Sequence, residues 1–332
     1  MVKRILITGH SGFVGSWLSL LLHYKKHKIF GISLPNKKKK HIFNKCNINK
    51  LVNSSFIDIR DTILIEKKIK SIRPDLIIHL AAQPIVINSI KNPFETLETN
   101  IVGTLNLLKI SQKLKIKKFI NFTSDKVYYN NDSNKSYKEN DYLKGYDPYS
   151  LSKSCADLIG ENIGNFSDLK VINLRCGNII GGGDWSDYRI IVDYFDSLFN
   201  KKNLMIRNPE STRPWQHIFT VIHAIYSCIN RTPKNYSYNI SPLKNKEITV
   251  SYLIDALNNL NNRSVNVKVK PKPNIKEKKY LRINSKLFND EIGLLDIPFS
   301  NSIKLTNNWY IASQNKKTNM YNFSINQIRE YF

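Results

Sequence analysis

Tyr149 and Lys153 stand four residues apart in the run Gly145-Tyr146-Asp147-Pro148-Tyr149-Ser150-Leu151-Ser152-Lys153, a spacing that puts both side chains on one face of a helix. Asp147 is a capping residue by type and Pro148 suits a first helical position, so the helix is expected to open just before the tyrosine. A phenol with an ordinary pKa of about 10 is a poor base at neutral pH; a nearby ammonium and a bound nicotinamide cation would lower it. The phenolate could then take a hydroxyl proton while hydride leaves the same carbon. Tyr-x-x-x-Lys is frequent by chance, and alone it describes an ordinary surface helix.

Its weight comes from a second cluster, Thr123-Ser124-Asp125-Lys126-Val127-Tyr128, which follows the strand-like run Lys118–Phe122. Side chains at the carboxyl end of a parallel strand point into the crevice where open α/β sheets bind ligands. Ser124 is expected to hydrogen-bond a substrate hydroxyl beside Tyr149. Asp125 and Lys126 add an acid and a base that simple hydride transfer does not require, and so point to proton removal and loss of water. A salt-bridged loop is the plainer alternative.

A third signal is Ile5-Leu6-Ile7-Thr8-Gly9-His10-Ser11-Gly12-Phe13-Val14-Gly15, a GxxGxxG spacing between a strand and a helix. Glycine admits positive φ and close approach of backbone N–H groups to a pyrophosphate, whose charge the helix N-terminus favours. Placed after the first strand of an alternating chain, the motif predicts dinucleotide binding. The second strand ends in Gly31-Ile32-Ser33-Leu34-Pro35 without the usual carboxylate, so NAD is expected with NADP left open. Asp58 is read as ending a third strand, where it would accept a hydrogen bond from adenine; a helix cap is the alternative.

The elements that must position these groups alternate. Strands are expected at Arg4–Ile7, Lys28–Ser33, Phe56–Ile59, Leu76–Leu80, Lys118–Phe122 and Val171–Leu174. Helices are expected within Ser16–His23, Glu66–Ile72, Thr99–Leu114 and Pro148–Ile163. This predicts an α/β fold, a doubly wound parallel sheet (Rossmann) over residues 1–175. The rhythm breaks near Arg175, and residues 176–332 read as a smaller, mixed substrate lobe. Its helices are expected near Ile190–Phe199, Val221–Ile229 and Ser251–Leu260, with an extended or loop segment over Lys268–Lys279. A strand near Tyr236–Ile240 could return to the large sheet.

Composition excludes other classes. The net charge is +25, but the lysines are spread from Lys3 to Lys317 and aromatic residues are not interleaved with them, so neither a nucleic-acid nor a membrane partner is expected. Cys46, Cys155, Cys176 and Cys228 form no CxxC pair and read as reduced thiols without a metal. Without an evident signal peptide or an apolar span, the expected location is cytoplasmic.

Taken together the motifs resemble the extended short-chain dehydrogenase/reductase superfamily and, within it, the CDP-glucose 4,6-dehydratases. The finer resemblance lies in Gly9-His10-Ser11-Gly12-Phe13, Ala81-Ala82-Gln83-Pro84, Thr123-Ser124-Asp125-Lys126, Gly177-Asn178-Ile179-Ile180-Gly181-Gly182-Gly183-Asp184-Trp185 and Arg207-Asn208-Pro209 with Arg213-Pro214-Trp215-Gln216-His217. The resemblance implies oxidation at C4 of a nucleotide-linked glucose, loss of water across C5 and C6, and return of the hydride to C6. Tyr149 would be the base, with Lys153 and Ser124 assisting and Asp125 the acid. Related dTDP-glucose enzymes carry a glutamate where Lys126 stands, so the resemblance leaves the C5 base open, and Lys126 would have to be neutral to serve. The cofactor contacts it implies are Gly9, Gly12, Phe13, Val14, Gly15, Asp58, Ile59, Leu80, Ala81, Ala82, Asn100 and Thr123, with Tyr149 and Lys153. The implied substrate contacts are Gln83, Asn178, Arg189, Arg213 and His217. The family usually has Tyr at Ile90 and Pro at Val192. Its usual assembly is a homodimer, with a tetramer as the alternative, built on the Thr99–Leu114 and Pro148–Ile163 helices. The rivals are another nucleotide-sugar epimerase or reductase on the same scaffold, and a catalytically silent dinucleotide-binding subunit.

Overall fold

Ile5 and Ile7 face one apolar cluster and Leu6 the other, the two-residue alternation of a strand covered on both faces. The same split recurs in Leu76/Ile78 against Ile77, and in Ile120 against Phe119. These residues belong to a seven-stranded parallel sheet in the computed structural model, which describes residues 1–244, 248–270 and 280–332. Its strands include β1 (Arg4–Thr8), β2 (Lys28–Ser33), β3 (Asn53–Phe56), β4 (Leu76–His79) and β5 (Lys118–Ser124). Beyond β5 lie Lys170–Cys176 and then Ser237–Ile240, so the returning strand is real and forms one edge. β1 lies between β2 and β4. The chain therefore winds outward in both directions from β1, creating the switch point at which such sheets bind ligands.

Helix α1 (Phe13–Tyr24) covers one face with the Ile218–Asn230 helix. Thr62–Ile72, Gly103–Lys113 and Pro148–Asn165 cover the other. The smaller lobe holds short parallel pairings, Ile179–Ile180 with Gln216–His217 and Leu204–Ile206 with Val267–Val269. Of the segment expected over Lys268–Lys279, residues 271–279 lie outside the described residues. No helix among the described residues is long and apolar enough to cross a membrane.

Two expectations shift. The third strand is Asn53–Phe56, not Phe56–Ile59. As an edge strand it needs no apolar run, and its pairing ends at Phe56 opposite Ser33. Ile59 then turns inward against Gly103, where an added Cβ would lie 2.5 Å from its side chain. The helix expected from Thr99 opens instead with a π turn, Glu98–Val102, before Gly103–Lys113. Asn100 in that turn is buried, donating to Ser152 Oγ at 2.8 Å and to the Gln83 carbonyl at 3.1 Å. Such turns gather at functional sites.

The apolar core is continuous between sheet and lobe. Trp17 on α1 donates its indole N–H to the Gly182 carbonyl at 2.9 Å and meets Phe219 edge-on at 5.2 Å. In the lobe, Phe195 stacks on Tyr310 at 4.0 Å. Trp17 is wholly buried, so Trp17→Ala should cost about 3–5 kcal/mol. In chemical denaturation both lobes should lose structure in one earlier transition. Two separated transitions would contradict a shared core.

Candidate active site

Along the carboxyl edge of the sheet runs a cavity of about 1460 Å³. Its floor begins at the glycine loop. Gly9 has φ 78°, and a Cβ there would lie 2.7 Å from the Ala81 nitrogen; at Gly15 it would lie 2.3 Å from the Gly9 carbonyl oxygen. Both positions therefore require glycine. Gly12 precedes α1, and no side chain caps the first turn, which leaves its N–H groups to an anion. Ser33, where a carboxylate is usual, has a buried hydroxyl without a hydrogen-bond partner among the described residues. These features fit a dinucleotide. Asp58 lines the same cavity but does not end the third strand. Its carboxylate accepts from Arg60 Nε and Nη2 at 3.1 and 2.7 Å, and that hydrogen bond holds its pKa down. Asp61, not Asp58, caps the following helix.

The reacting centre forms where β5 meets the start of the Pro148–Asn165 helix. Asp147 caps that helix through Ser150 N at 3.0 Å, and Tyr149 N donates to Ser89 Oγ at 3.2 Å. Ser124 Oγ donates to Asp125 Oδ1 at 3.1 Å and accepts from Lys126 N at 3.2 Å. The Ser124 side chain also acts on the Tyr149 phenol, opposing the rise in its pKa. Ser124 thus interacts with both phenol and carboxyl. Asp125 Oδ2 is buried and unpartnered. Burial pushes Asp125 up to about 6 against the pull of Lys126, Ser124, Arg213 and Arg189. Lys153 is buried, and its Nζ donates to the Phe122 carbonyl at 2.9 Å. Burial lowers it to about 8, with Asp157 and Cys176 opposing.

Tyr149 departs from expectation. Burial raises its pKa, and Ser124 and Arg189 are what oppose the rise. The lysine expected to lower it spends its ammonium on the Phe122 carbonyl.

All the residues singled out from the sequence line the cavity except Asn100 and His217. Asn100 acts one step behind, its Oδ1 accepting from Gln83 N at 2.8 Å. His217 is not available to a substrate. It is 1% exposed, caps the Ile218–Asn230 helix by accepting from Phe219 N at 3.3 Å, and packs edge-on to Phe219. Burial lowers it to about 3, which keeps it neutral. Gln83 reaches the cavity, but both ends of its amide are bonded within the chain, to Thr96 Oγ1 and Ile85 N. Asn178, Arg189 and Arg213 line the far half with Arg207 and Asp193. The last two were missed as site residues. Asp193 lies in the first turn of the Ile190–Asn200 helix, just after Arg189, and Arg207 lay within a motif already read. Among the described residues no three His, Cys, Asp or Glu side chains are grouped to hold a metal ion, and the four cysteines are unpaired.

The model of the family described as GDP-mannose 4,6 dehydratase matches residues 6–296. The chain is 35% identical over 270 residues to CDP-glucose 4,6-dehydratase of Salmonella typhimurium, covering 77% of this chain and 75% of that protein. Its fold is that of UDP-glucose 4-epimerase of Thermotoga maritima, at a TM-score of 0.84 and 22% identity over 94% of this chain and 99% of the other. It also matches dTDP-glucose 4,6-dehydratase of Bacillus anthracis, solved with NAD, at 0.79 and 22% over 96% and 99%. With its glycine loop, its buried Ser–Tyr–Lys centre and a family match spanning most of its length, the chain belongs to the GDP-mannose 4,6 dehydratase family, within the nucleotide-sugar epimerases and dehydratases.

Proposed function

We propose that this enzyme is an NAD-dependent nucleotide-sugar 4,6-dehydratase whose substrate is CDP-D-glucose and whose product is CDP-4-dehydro-6-deoxy-D-glucose. The observation that carries this reading is Asp125, a buried carboxyl raised to about 6 and linked through Ser124 to the Tyr149 phenol. Epimerisation at C4 needs the phenol alone; a carboxyl able to keep a proton beside it is what expulsion of a C6 hydroxyl needs. The 35% identity to the Salmonella enzyme supports cytidine diphosphate as the carrier. Arg189, Arg207 and Arg213 give the cavity the positive charge that a diphosphate calls for,.

Gly9, Gly12, Gly15 and the unpartnered Ser33 hydroxyl would hold the dinucleotide. When bound, NAD+ supplies a hydride acceptor for C4 and afterwards a hydride for C6. The rest falls to the chain. Tyr149 Oη takes the C4 hydroxyl proton, its pKa lowered by Arg189 and by the cationic nicotinamide. The ketone at C4 makes the C5 hydrogen acidic, and Lys126 as neutral amine removes it. Asp125 gives its proton to the departing C6 hydroxyl. Lys126 returns its proton to C5, and the Tyr149 proton, passed by way of the Ser124 hydroxyl, recharges Asp125 and closes the cycle.

We also infer a homodimer. Phe94, Val102, Leu105, Leu151 and Leu158 are exposed large apolar residues on the neighbouring 93–113 and 148–165 helical segments, a grouping that a second copy would cover. Light scattering should give twice the chain mass; a tetramer would add a second interface, and a monomer would remove the claim.

Incubated with NAD+ and CDP-, dTDP-, UDP- or GDP-glucose, the protein should turn over CDP-glucose, with a mass loss of one water. An isomer of unchanged mass would mark an epimerase, and NADP+ serves as the cofactor control. Tyr149→Phe should lower turnover by at least about a hundredfold with cofactor binding retained. Asp125→Asn should stop after oxidation, so that reduced cofactor accumulates; unimpaired water loss would rule out Asp125 as the acid. The oxidation step needs an ionised phenol and should strengthen with rising pH. The elimination step needs a protonated Asp125 and should weaken as pH rises through about 6.

A further inference from the structure

One helical turn beyond Lys153, Asp157 is wholly buried against Arg175, with side-chain exposures of 0% and 2%. Arg175 Nε and Nη2 donate to the two Asp157 oxygens at 3.0 and 2.6 Å. Its remaining nitrogen, Nη1, donates to the Tyr128 hydroxyl at 2.9 Å and the Glu139 carbonyl at 2.7 Å. Thr123 Oγ1 donates to Asp157 Oδ2 at 2.7 Å, and the Tyr128 hydroxyl donates to Asn239 Oδ1 at 2.7 Å. These side chains come from different elements. Thr123 immediately precedes Ser124 on β5, and Tyr128 directly follows the Asp125–Val127 turn. Asp157 shares the helix of Tyr149 and Lys153, while Arg175 and Asn239 lie on the two strands beyond β5.

A desolvated ion pair adds little net stability over apolar side chains of similar volume. What a guanidinium adds is direction, because its donors are fixed in one plane. Here they are divided between the helix that bears the phenol and the segment that follows the carboxyl.

We propose that Arg175 and Asp157 are positioning residues for the reacting centre, fixing the strand end of Ser124 and Asp125 against the helix of Tyr149 and Lys153. Asp157 also faces Lys153 electrostatically. The ionisable groups around that ammonium are Asp157 and Tyr149 on its own helix, Cys176 on the adjacent strand and His79 on β4. Burial keeps His79 neutral, lowering it to about 3, and raises the Cys176 thiol well above its ordinary value. Asp157 is thus the negative charge that holds Lys153 as an ammonium. The kinetic consequence rests on the dehydratase reading; the effect on Lys153 does not.

The test is the paired substitution Asp157→Leu with Arg175→Met, which strands no buried charge, alongside Asp157→Asn, which keeps the shape. The activity-free readout is the pH dependence of Lys153 acylation in the full protein, followed by peptide mass spectrometry. Its half-point should fall by about one pH unit in Asp157→Asn, and by less in the paired variant, where the Arg175 charge leaves with that of Asp157. With NAD+ and CDP-glucose, kcat of the paired variant should fall about a hundredfold, while KM stays within about threefold of wild type. A folded variant with the wild-type half-point and kcat overturns the inference, as does a loss carried by KM. If the paired variant does not fold, Asp157→Asn decides by the acylation half-point and Tyr128→Phe by kcat against KM. A wild-type protein inactive on every nucleotide glucose would sink the dehydratase reading and leave the Lys153 half-point to judge the pair.

Discussion

Burial of ionisable side chains at the carboxyl edge of the sheet is the constraint on which the chemistry depends. Removal from water opposes charge in every case, raising an acid and lowering an ammonium. Asp125 rises to about 6 and Lys153 falls to about 8, so a carboxyl and an ammonium with widely separated ordinary values come within reach of neutral pH. Tyr149 moves the wrong way for a base, upward. In the proposed reaction its ionisation is supplied by positive charge arriving in the cleft. A phenol that stays protonated until an oxidised cofactor is bound couples proton removal to the presence of a hydride acceptor.

That desolvation depends on the sheet's winding. β1 lies between β2 and β4, and the glycine loop leaves its end so tightly that Gly9 and Gly15 admit no side chain. The smaller lobe shares its apolar core with the sheet, through Trp17 and the Gly182 carbonyl. Asn178, Arg189 and Arg213 thereby line the same cavity as the phenol. Sheet and smaller lobe are consequently one packed body with a cleft, not two lobes that must find each other.

The sequence was most informative where chemistry follows local spacing. The Tyr149–Lys153 interval, the Asp147 cap, the glycine loop and the Ser124-Asp125-Lys126 run are each read within a few residues, and each lies on the cavity. The alternation of apolar runs was enough for the parallel sheet, and even the returning strand Ser237–Ile240 was legible. Reading failed where a residue's role is set by partners distant in the chain. His217 sits in a motif shared with a substrate-binding family, yet it closes a helix end. Asn100 is turned by a π turn that helical periodicity cannot distinguish from an ordinary one. Asp157 and Arg175 are separated by 18 positions, and nothing in either segment announces that they meet. β3 was misplaced because an edge strand is chosen by pairing rather than by apolar content.

The central claim is that hydride taken from C4 is handed back at C6 inside one desolvated cleft. Turnover of CDP-glucose deuterated at C4, followed by mass spectrometry and NMR of the product, tests it directly. The account predicts one deuterium at C6 and a solvent-derived hydrogen at C5. Deuterium still at C4, or lost to free reduced cofactor, would contradict it.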